Sequence, residues 1–487
     1  MNILVNYSSL FAITLPETIL EVVSLLVLVV DLAWLRKTAQ ATRMATACML
    51  GVAGSVLAIL WLIAHPASMS FAGGALVVTP LVAAVQIGIV LLTALVLLLS
   101  IKAEFSRNPG EFVAIVLLAT TGMMLVVAAR DLLIIFVALE LLSLSLYALT
   151  AFAKNSAQSA EAALKYYLFG GMSAALMLFG FSYLYGLTGT TNLSQMTYAL
   201  SGSQLPLAVV ALVLVAAGLG FKIAAVPFHL WTPDTYQGAP APVAALIASG
   251  SKVASFALLV AVTDGIVASP SSGSGNRTWI VLLIAMAAGS IVLGNLAALA
   301  QTSVRRLLAY SAIAHAGYML LGIAANTPVS GAAVIYYALT YALTTVGAFG
   351  VIAIVERATG SDRFDAFAGL SKRNPLLAAT MLVFLLSLAG IPPLVGFWAK
   401  FNLFAAVLRA PNTASWPLAL VVVALAASAV SLYYYLQVLK RVYVVKSANT
   451  EPMPVSLVEL ATLAAIALAV LLLGIFPGLL SAWIPLG

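Results

Sequence analysis

Long apolar segments are the feature that most constrains the fold of this chain. Fourteen segments of about 20 residues or longer can be delimited, with few charges inside them. Uninterrupted apolar runs of this length are typical of membrane-spanning helices, whereas membrane β-barrels alternate apolar and polar residues along short strands. The sequence therefore predicts an all-α polytopic membrane protein with about 14 transmembrane helices. Their approximate cores are 10–34, 43–64, 76–101, 111–129, 131–153, 161–188, 204–229, 240–265, 278–300, 304–325, 329–355, 375–409, 414–440 and 455–485.

Composition agrees with this class. Of the 487 residues, 63% are hydrophobic and 8% are charged, whereas soluble domains average about 45–50% apolar and about 25% charged residues. No long stretch is polar enough to form a soluble domain, so residues 1–487 are predicted to form a single transmembrane domain. The one cysteine, Cys48, excludes an internal disulfide framework and a cysteine-ligated iron–sulfur cluster.

Lys and Arg are distributed unevenly between alternate loops. Fifteen lie in or beside one set of loops, and only Arg130, Arg277 and Arg409 belong to the opposite set. The positive-inside rule predicts that the larger set is cytoplasmic, and an even number of spans then places both termini on the outer face. The net charge of +7 is explained by this topology, and no nucleic-acid partner is predicted. The larger set comprises Arg36, Lys37, Arg43, Lys102, Arg107, Lys154, Arg305, Arg306, Arg357, Arg363, Lys372, Arg373, Lys440, Arg441 and Lys446.

A weak internal repeat recurs at an offset of about 170 residues. AALKYYL at 162–168 resembles AAVIYYA at 332–338, and VPFHLW at 226–231 is echoed by GIPPLVGFW at 390–398. Each offset spans five predicted helices, so the second copy would cross the membrane in the opposite direction. Inverted repeats with interrupted helices are typical of ion-translocating folds. Chance similarity between Ala- and Leu-rich helices is the alternative.

Five ionisable residues fall well inside predicted spans, where a charge costs about 2.5–3.5 kcal/mol on insertion scales. Such residues usually mark an ion or proton pathway. The structural alternatives are an interhelical ion pair for the acidic and basic residues and a packing role for the histidine. The five are Glu140, Lys222, Lys252, His315 and Lys400.

Two spans contain strong helix breakers beside a lysine. Pro227 follows Lys222, and four breakers, namely Gly390, Pro392, Pro393 and Gly396, precede Lys400. Backbone groups freed by such breaks persist at membrane depth only where protein or water satisfies them. Hydrated cavities are therefore expected beside both lysines, and hydration would allow each to exchange a proton.

Other ionisable residues lie nearer the ends of their spans. Glu161 and Lys165 are spaced i, i+4, so they are either a local ion pair or part of a proton entrance at the cytoplasmic face. Three further residues are expected to lie near the surface and to have little functional importance, namely Glu17, Glu21 and His65.

Motifs for redox, metal or nucleotide chemistry are missing from the sequence. It contains no phosphate-binding glycine loop, no HExxH, no cysteine cluster and no pair of histidines at haem-like spacing. We therefore predict no cofactor or metal site in this chain and a role in moving ions or protons.

Five long motifs stand out from the apolar background, namely GFKIAAVPFHLWTPDTYQGAPAPVAA, ALELLSLSLYAL, QTSVRRLLAYSAIAHAGYMLLG, SLAGIPPLVGFWAKF and SLYYYLQVLKRVY. They resemble the antiporter-like subunits of respiratory complex I, with the subunit N group of bacterial NADH:quinone oxidoreductase the nearest. The resemblance covers nearly the whole chain. Lys400 stands where the related subunit M group carries glutamate, and no counterpart of the long lateral helix of the subunit L group is expected.

The resemblance implies a fold. Two inverted five-helix repeats would occupy 110–265 and 278–445, with helices seven and twelve broken and flanking helices in 1–101 and 455–485. It also implies roles for the buried residues, because the family carries a mid-membrane file of polar groups that translocates protons. Glu140, Lys222, Lys252 and Lys400 match this file, and His315 matches a commonly polar position in helix ten.

The resemblance further implies a translocase subunit of NADH:quinone oxidoreductase that has no redox centre of its own. NADH, FMN, the iron–sulfur clusters and quinone would bind partner subunits, and quinone reduction there would drive the protons. The expected partners are the other membrane subunits of complex I and lipids, in the bacterial inner membrane.

Two other functional classes stay open at this stage. A subunit of a multi-subunit Na⁺/H⁺ antiporter or of a membrane-bound hydrogenase would share the fold. A stand-alone solute carrier would need a pocket of convergent polar groups, whereas the sequence offers a line of titratable ones.

Overall fold

The computed structural model describes residues 7–66, 68–199, 205–267, 273–410, 416–447 and 451–484. The first residue of predicted span seven and both chain termini lie outside this part of the chain. The helices are α1 (Tyr7–Ile13), α2 (Leu15–Val29), α3 (Gln40–Ala64), α4 (Pro80–Leu99), α5 (Pro109–Ala128), α6 (Leu132–Thr150), α7 (Ala157–Thr188), α8 (Leu193–Ala199), α9 (Leu205–Ile223), α10 (Trp231–Gly238), α11 (Ala241–Ala248), α12 (Gly250–Val267), α13 (Gly273–Leu299), α14 (Val304–Ala325), α15 (Ser330–Thr359), α16 (Leu370–Arg373), α17 (Pro375–Ala389), α18 (Val395–Leu408), α19 (Trp416–Tyr443), α20 (Leu457–Ile475) and α21 (Gly478–Ser481).

The predicted all-α membrane fold is confirmed. Within the described residues, 12 helical segments are long and apolar enough to cross a membrane, and they match 12 of the predicted spans. The predicted first span corresponds to α2, which is continued by a π-helical turn over Val30–Trp34. The predicted twelfth span consists of two shorter apolar helices, α17 and α18.

The connecting segments gather at two ends of the helix bundle. At one end, two short antiparallel strands, β1 (Met69–Phe71) and β2 (Leu76–Val78), form a hairpin. Bridges join Leu76 to Ala129 and Asp131 to Asn192, so three connections meet there. We call this the hairpin end.

The opposite end carries the loops in which Lys and Arg are concentrated, and we call it the basic end. Gln40 donates to the carbonyl of Ser106, Arg357 donates to the carbonyl of Lys102, and Gly369 donates to the carbonyl of Arg441. The two sets of loops that the charge distribution separated therefore lie at opposite ends of the molecule.

Three predicted spans are interrupted. Span seven ends early, at Ile223, and α10 follows beyond its predicted end at 229, whereas span twelve stops at Ala389 and resumes as α18. The proline and glycine positions predicted both breaks. Span eight is also interrupted, at Ser249 between α11 and α12. The sequence analysis did not anticipate this third break.

The central helices are the most deeply enclosed. In the most apolar stretches of Ala241–Gly265, Val304–Ala325 and Ser330–Thr359, 89%, 94% and 83% of the residues are buried within the protein. These helices face other helices rather than lipid. Polar side chains on them are consequently screened from the bilayer by the rest of the chain.

Candidate functional site

Lys400 lies against the break in span twelve. The break leaves the last carbonyls of α17 without helical partners, and the Lys400 Nζ donates to the carbonyl of Ala389 over 2.7 Å. A second hydrogen bond, also 2.7 Å, goes to the Ser428 hydroxyl on α19. An ammonium group at a helix C-terminus is favoured by the helix dipole. The interrupted backbone thus supplies part of the solvation that a membrane interior withholds.

Gly390 makes room for this lysine. Its φ is +88°, a left-handed conformation that favours glycine, and a Cβ built at this position would lie 2.9 Å from Cδ of Lys400. Because Gly390 has no side chain, the Lys400 side chain can pack directly against the backbone at the break.

His315 lies between Lys400 and Lys252. Its Nδ1 is 2.8 Å from the Tyr337 hydroxyl, and its Nε2 is 3.4 Å from the Tyr435 hydroxyl. Both lysines are close enough to interact electrostatically with the imidazole. A ring with one hydroxyl on each nitrogen can accept a proton on one side and release one on the other.

A small cavity joins His315 to Lys400. The space open to the centre of a water molecule is about 10 Å³, which corresponds to about one water. The cavity lies where a hydrated pocket was predicted beside Lys400, although its hydration itself stays a prediction. Its lining includes Lys400, His315, Tyr337, Thr340, Tyr341, Thr344 and Ser387.

Lys252 lies in the first turn of α12, directly after the third break. Its side chain is 3% exposed, and its Nζ donates to the carbonyl of Ala312 on α14. The ammonium is also 5.7 Å from the centroid of the Tyr341 ring, within the range of a cation–π interaction. Each of the three buried lysines thus adjoins an interruption in a spanning helix.

Lys222 lies in the last turn of α9, one residue before the break in span seven. Its Nζ donates to the Ser143 hydroxyl on α6, which in turn donates to the carbonyl of Leu139. The ammonium lies 5.8 Å from the Tyr147 ring centroid. The C-terminal end of α9 and the Ser143 hydroxyl favour the charged ammonium at this position, whereas burial opposes it.

Glu140 does not contact Lys222 in this structure. Its carboxylate is close enough for an electrostatic interaction, but none of the ion pairs in the described residues joins the two side chains. Glu140 Oε1 is buried without a hydrogen-bond partner. Two neighbours on the same helix, Val137 and Leu144, are exposed. A direct Glu140–Lys222 pair is therefore not the arrangement seen here.

Glu161 and Lys165 form the i, i+4 ion pair that the sequence analysis considered, at 2.7 Å. Lys165 also lies 2.7 Å from Asp234 on α10, and Asp234 lies 2.7 Å from Arg306 on α14. Partial burial raises the pKa of Asp234, but the hydrogen bonds from Lys165 and Arg306 outweigh it, so this pKa is lowered overall. These ion pairs join α7, α10 and α14 at the basic end of the molecule.

Matches to known proteins decide the family. Residues 129–429 match the family described as NADH:quinone oxidoreductase/Mrp antiporter, TM. NADH-quinone oxidoreductase subunit N 2 of Acidobacterium capsulatum is 50% identical, with 99% of each chain covered. The chain belongs to this family. The predicted resemblance to the antiporter-like subunits of complex I is confirmed, and the protein is a multi-pass membrane protein.

Two solved structures have the same fold. A chain of respiratory complex I from Thermus thermophilus is 36% identical with a TM-score of 0.79, and the match covers 96% of this chain and 98% of that one. A chain of an archaeal membrane-bound sulfane sulfur reductase reaches a TM-score of 0.86 at 24% identity, covering 98% and 96% of the two chains. At that identity the second match shows the shared fold alone.

Some polar residues around the family's predicted file were missed by sequence reasoning. The His315 ring contacts Tyr337 and Tyr435, and Lys400 donates to Ser428. All three partners are distant in sequence, and no local motif marks them. Asp234 was visible in the TPD motif, but its two cationic partners are 69 and 72 residues away. Glu17 was expected near the surface, and this expectation is wrong because its side chain is 3% exposed inside the bundle.

Proposed function

We propose that this chain translocates protons as a membrane-arm subunit of NADH:quinone oxidoreductase. The observation that carries the proposal is the set of three buried lysines inside spanning segments. Lys222, Lys252 and Lys400 are 8%, 3% and 7% exposed. None of them has a carboxylate within 4.0 Å among the described residues. Such costly groups are rare in membranes unless they serve a pathway.

The proposed route runs along the middle of the molecule. Protons would enter near Glu161 and Lys165 at the basic end, which the charge distribution assigns to the cytoplasm. They would pass Lys222, Lys252 and His315 and reach Lys400. The cavity that His315 shares with Lys400, and the hydrogen bond from Lys252 to the Ala312 carbonyl one turn before His315, support the second half of this route.

Glu140 is proposed as the group that controls whether Lys222 holds or releases its proton. An approaching carboxylate favours the charged lysine, and its withdrawal favours release of the proton. The present geometry, with Lys222 bonded to Ser143, supports the separated arrangement as one of the two states. Glu140→Gln keeps the shape but removes the charge, so proton pumping should fall while the complex still assembles.

The energy source and redox chemistry belong to partner subunits in this proposal. NADH, FMN, iron–sulfur clusters and quinone would bind there, and quinone reduction would drive the relay. The 50% identity to a subunit so named supports complex I over the antiporter and hydrogenase alternatives. Both chain termini are proposed to lie on the outer face, and a reporter fused after Lys372 should accordingly be cytoplasmic.

The experiment compares Lys252→Met and Lys400→Met with Lys372→Met in the assembled complex. Lys372 is exposed on the basic end and serves as the control. Loss of a proton-transfer group should slow NADH-driven proton pumping by at least about tenfold in the first two variants. Normal pumping in both, with the complex intact on a native gel, would refute the proposal.

A further inference from the structure

A buried carboxyl group lies outside the proposed relay, among the first helices of the chain. Glu17 is in the first turn of α2, near the hairpin end, and its side chain is 3% exposed. None of the ion pairs in the described residues includes it. A carboxylate enclosed without a cation is costly, so the neutral acid is the stable form at such a position.

The surroundings of Glu17 suit a group that gains and loses a proton. The Gln86 amide on α4 donates to Oε1 of Glu17 over 3.0 Å and to the carbonyl of Met124 on α5 over 3.2 Å. Oε2 of Glu17 is buried with no hydrogen-bond partner. One oxygen is therefore held in place, and the other is free to carry the proton. A purely structural carboxyl would be expected to have both oxygens satisfied.

Further polar side chains are buried between α4 and α5, deeper than this carboxyl. Thr93 on α4 and Thr120 on α5 share a hydrogen bond of 2.9 Å, and both are fully buried. Each is also within hydrogen-bond distance of a carbonyl of its own helix. The neighbouring Thr121 hydroxyl is buried without a partner. The interface between these two helices is therefore partly polar around Glu17.

The segment that carries Lys252 also contacts α5 close to Glu17. α12, which begins at the third helix break, packs against both α4 and α5. A Cβ at Gly250 would lie 2.9 Å from Sδ of Met123, so α5 touches the chain two residues before Lys252. The next residue of α5, Met124, accepts the hydrogen bond from the Gln86 amide that holds Glu17. Adjacent residues of α5 therefore face the Lys252 segment and the Glu17 site.

We propose that Glu17, held by Gln86, is a proton-binding site that exchanges protons between Lys252 and the hairpin end. The chemistry is a transfer between oxygen and nitrogen acids and bases, with no other reactant. This inference rests on the proposed function for its Lys252 end. The protonated carboxyl itself can be tested without any measurement of pumping.

The first test labels the assembled complex with dicyclohexylcarbodiimide, which reacts with protonated carboxyls in apolar surroundings, and locates the adduct by mass spectrometry. Glu17 should be modified, and Asp365, a carboxyl at the basic end that is 80% exposed, should not. An unmodified Glu17 would overturn the proposal. This outcome does not depend on whether the lysine variants pump.

The second test measures NADH-driven proton pumping in Glu17→Gln, with Glu21→Gln as the matched control. Glutamine keeps the size of the side chain and an oxygen for the Gln86 amide, so a structural role would survive the change. We expect pumping at least about fivefold slower in Glu17→Gln, partial recovery in Glu17→Asp, and no change in the control. Normal pumping in Glu17→Gln would overturn the proposal even if Lys252→Met is inactive.

Discussion

At the residue scale, the fit between Gly390 and Lys400 can be tested with a single methyl group. Gly390→Ala should displace Lys400 and slow proton pumping, because the added Cβ would meet the lysine side chain at 2.9 Å. Gly360→Ala is the control. Its φ is +72°, and nothing lies within 4 Å of a Cβ there, so it carries the backbone strain of about 1–2 kcal/mol without the contact. Equal pumping in the two variants would show that Gly390 does not position the lysine.

A second residue-scale prediction concerns the tyrosine hydroxyls that contact the His315 ring, and a neighbouring tyrosine serves as its control. Tyr435 contacts His315 and Ser311, whereas Tyr434 contacts Asn295. Both are fully buried side chains on α19, so replacement by phenylalanine removes one hydroxyl in each case. Tyr435→Phe should reduce pumping severalfold, and Tyr434→Phe should not. Similar losses in both would mean that the hydroxyls only support packing.

At the element scale, Asp234 ties α10 to two other helices. Asp234→Asn should lower the temperature at which the complex disassembles at neutral pH, since it weakens hydrogen bonds with Lys165 and Arg306. The pKa of Asp234 is lowered, so its contribution is present above its usual pKa and is lost as the pH falls through the lowered value. The difference from the unsubstituted complex should therefore shrink in acid.

The control for Asp234 is Asp365, which pairs with Arg441 at 3.2 Å but is 80% exposed. Exposed pairs contribute about 0–1 kcal/mol, so Asp365→Asn should change the disassembly temperature little at any pH. An Asp234→Asn complex as stable as this control would contradict the structural role of the network.

The helix breaks show what could and could not be predicted at this scale. Prolines beside Lys222 and Lys400 remove hydrogen-bond donors, so two interruptions were readable from the sequence. The break at Ser249 has no proline, and glycine in the neighbouring Ser-Gly-Ser is tolerated inside helices, so it was not readable. Glu17 was misjudged because its depth depends on α3, α4 and α5 packing around α2, which no local pattern encodes.

At the whole-molecule scale, the number of spans and the grouping of loops followed from hydropathy and charge, because the bilayer imposes both. The family followed from the long motifs. The polar contacts around His315 did not follow. Tyr337 and Tyr435 are 22 and 120 residues from His315 along the chain, and only the packed bundle brings them to the two ring nitrogens.

The central claim is that Lys252 and Lys400 belong to one proton path through His315. The most direct measurement is a double-mutant cycle on NADH-driven proton pumping, using Lys252→Met, Lys400→Met and the combined variant in reconstituted vesicles. Groups that act as one element are not additive. The account predicts that the combined variant pumps no more slowly than the slower single variant. Losses that multiply would show that the two lysines work independently and would contradict the relay.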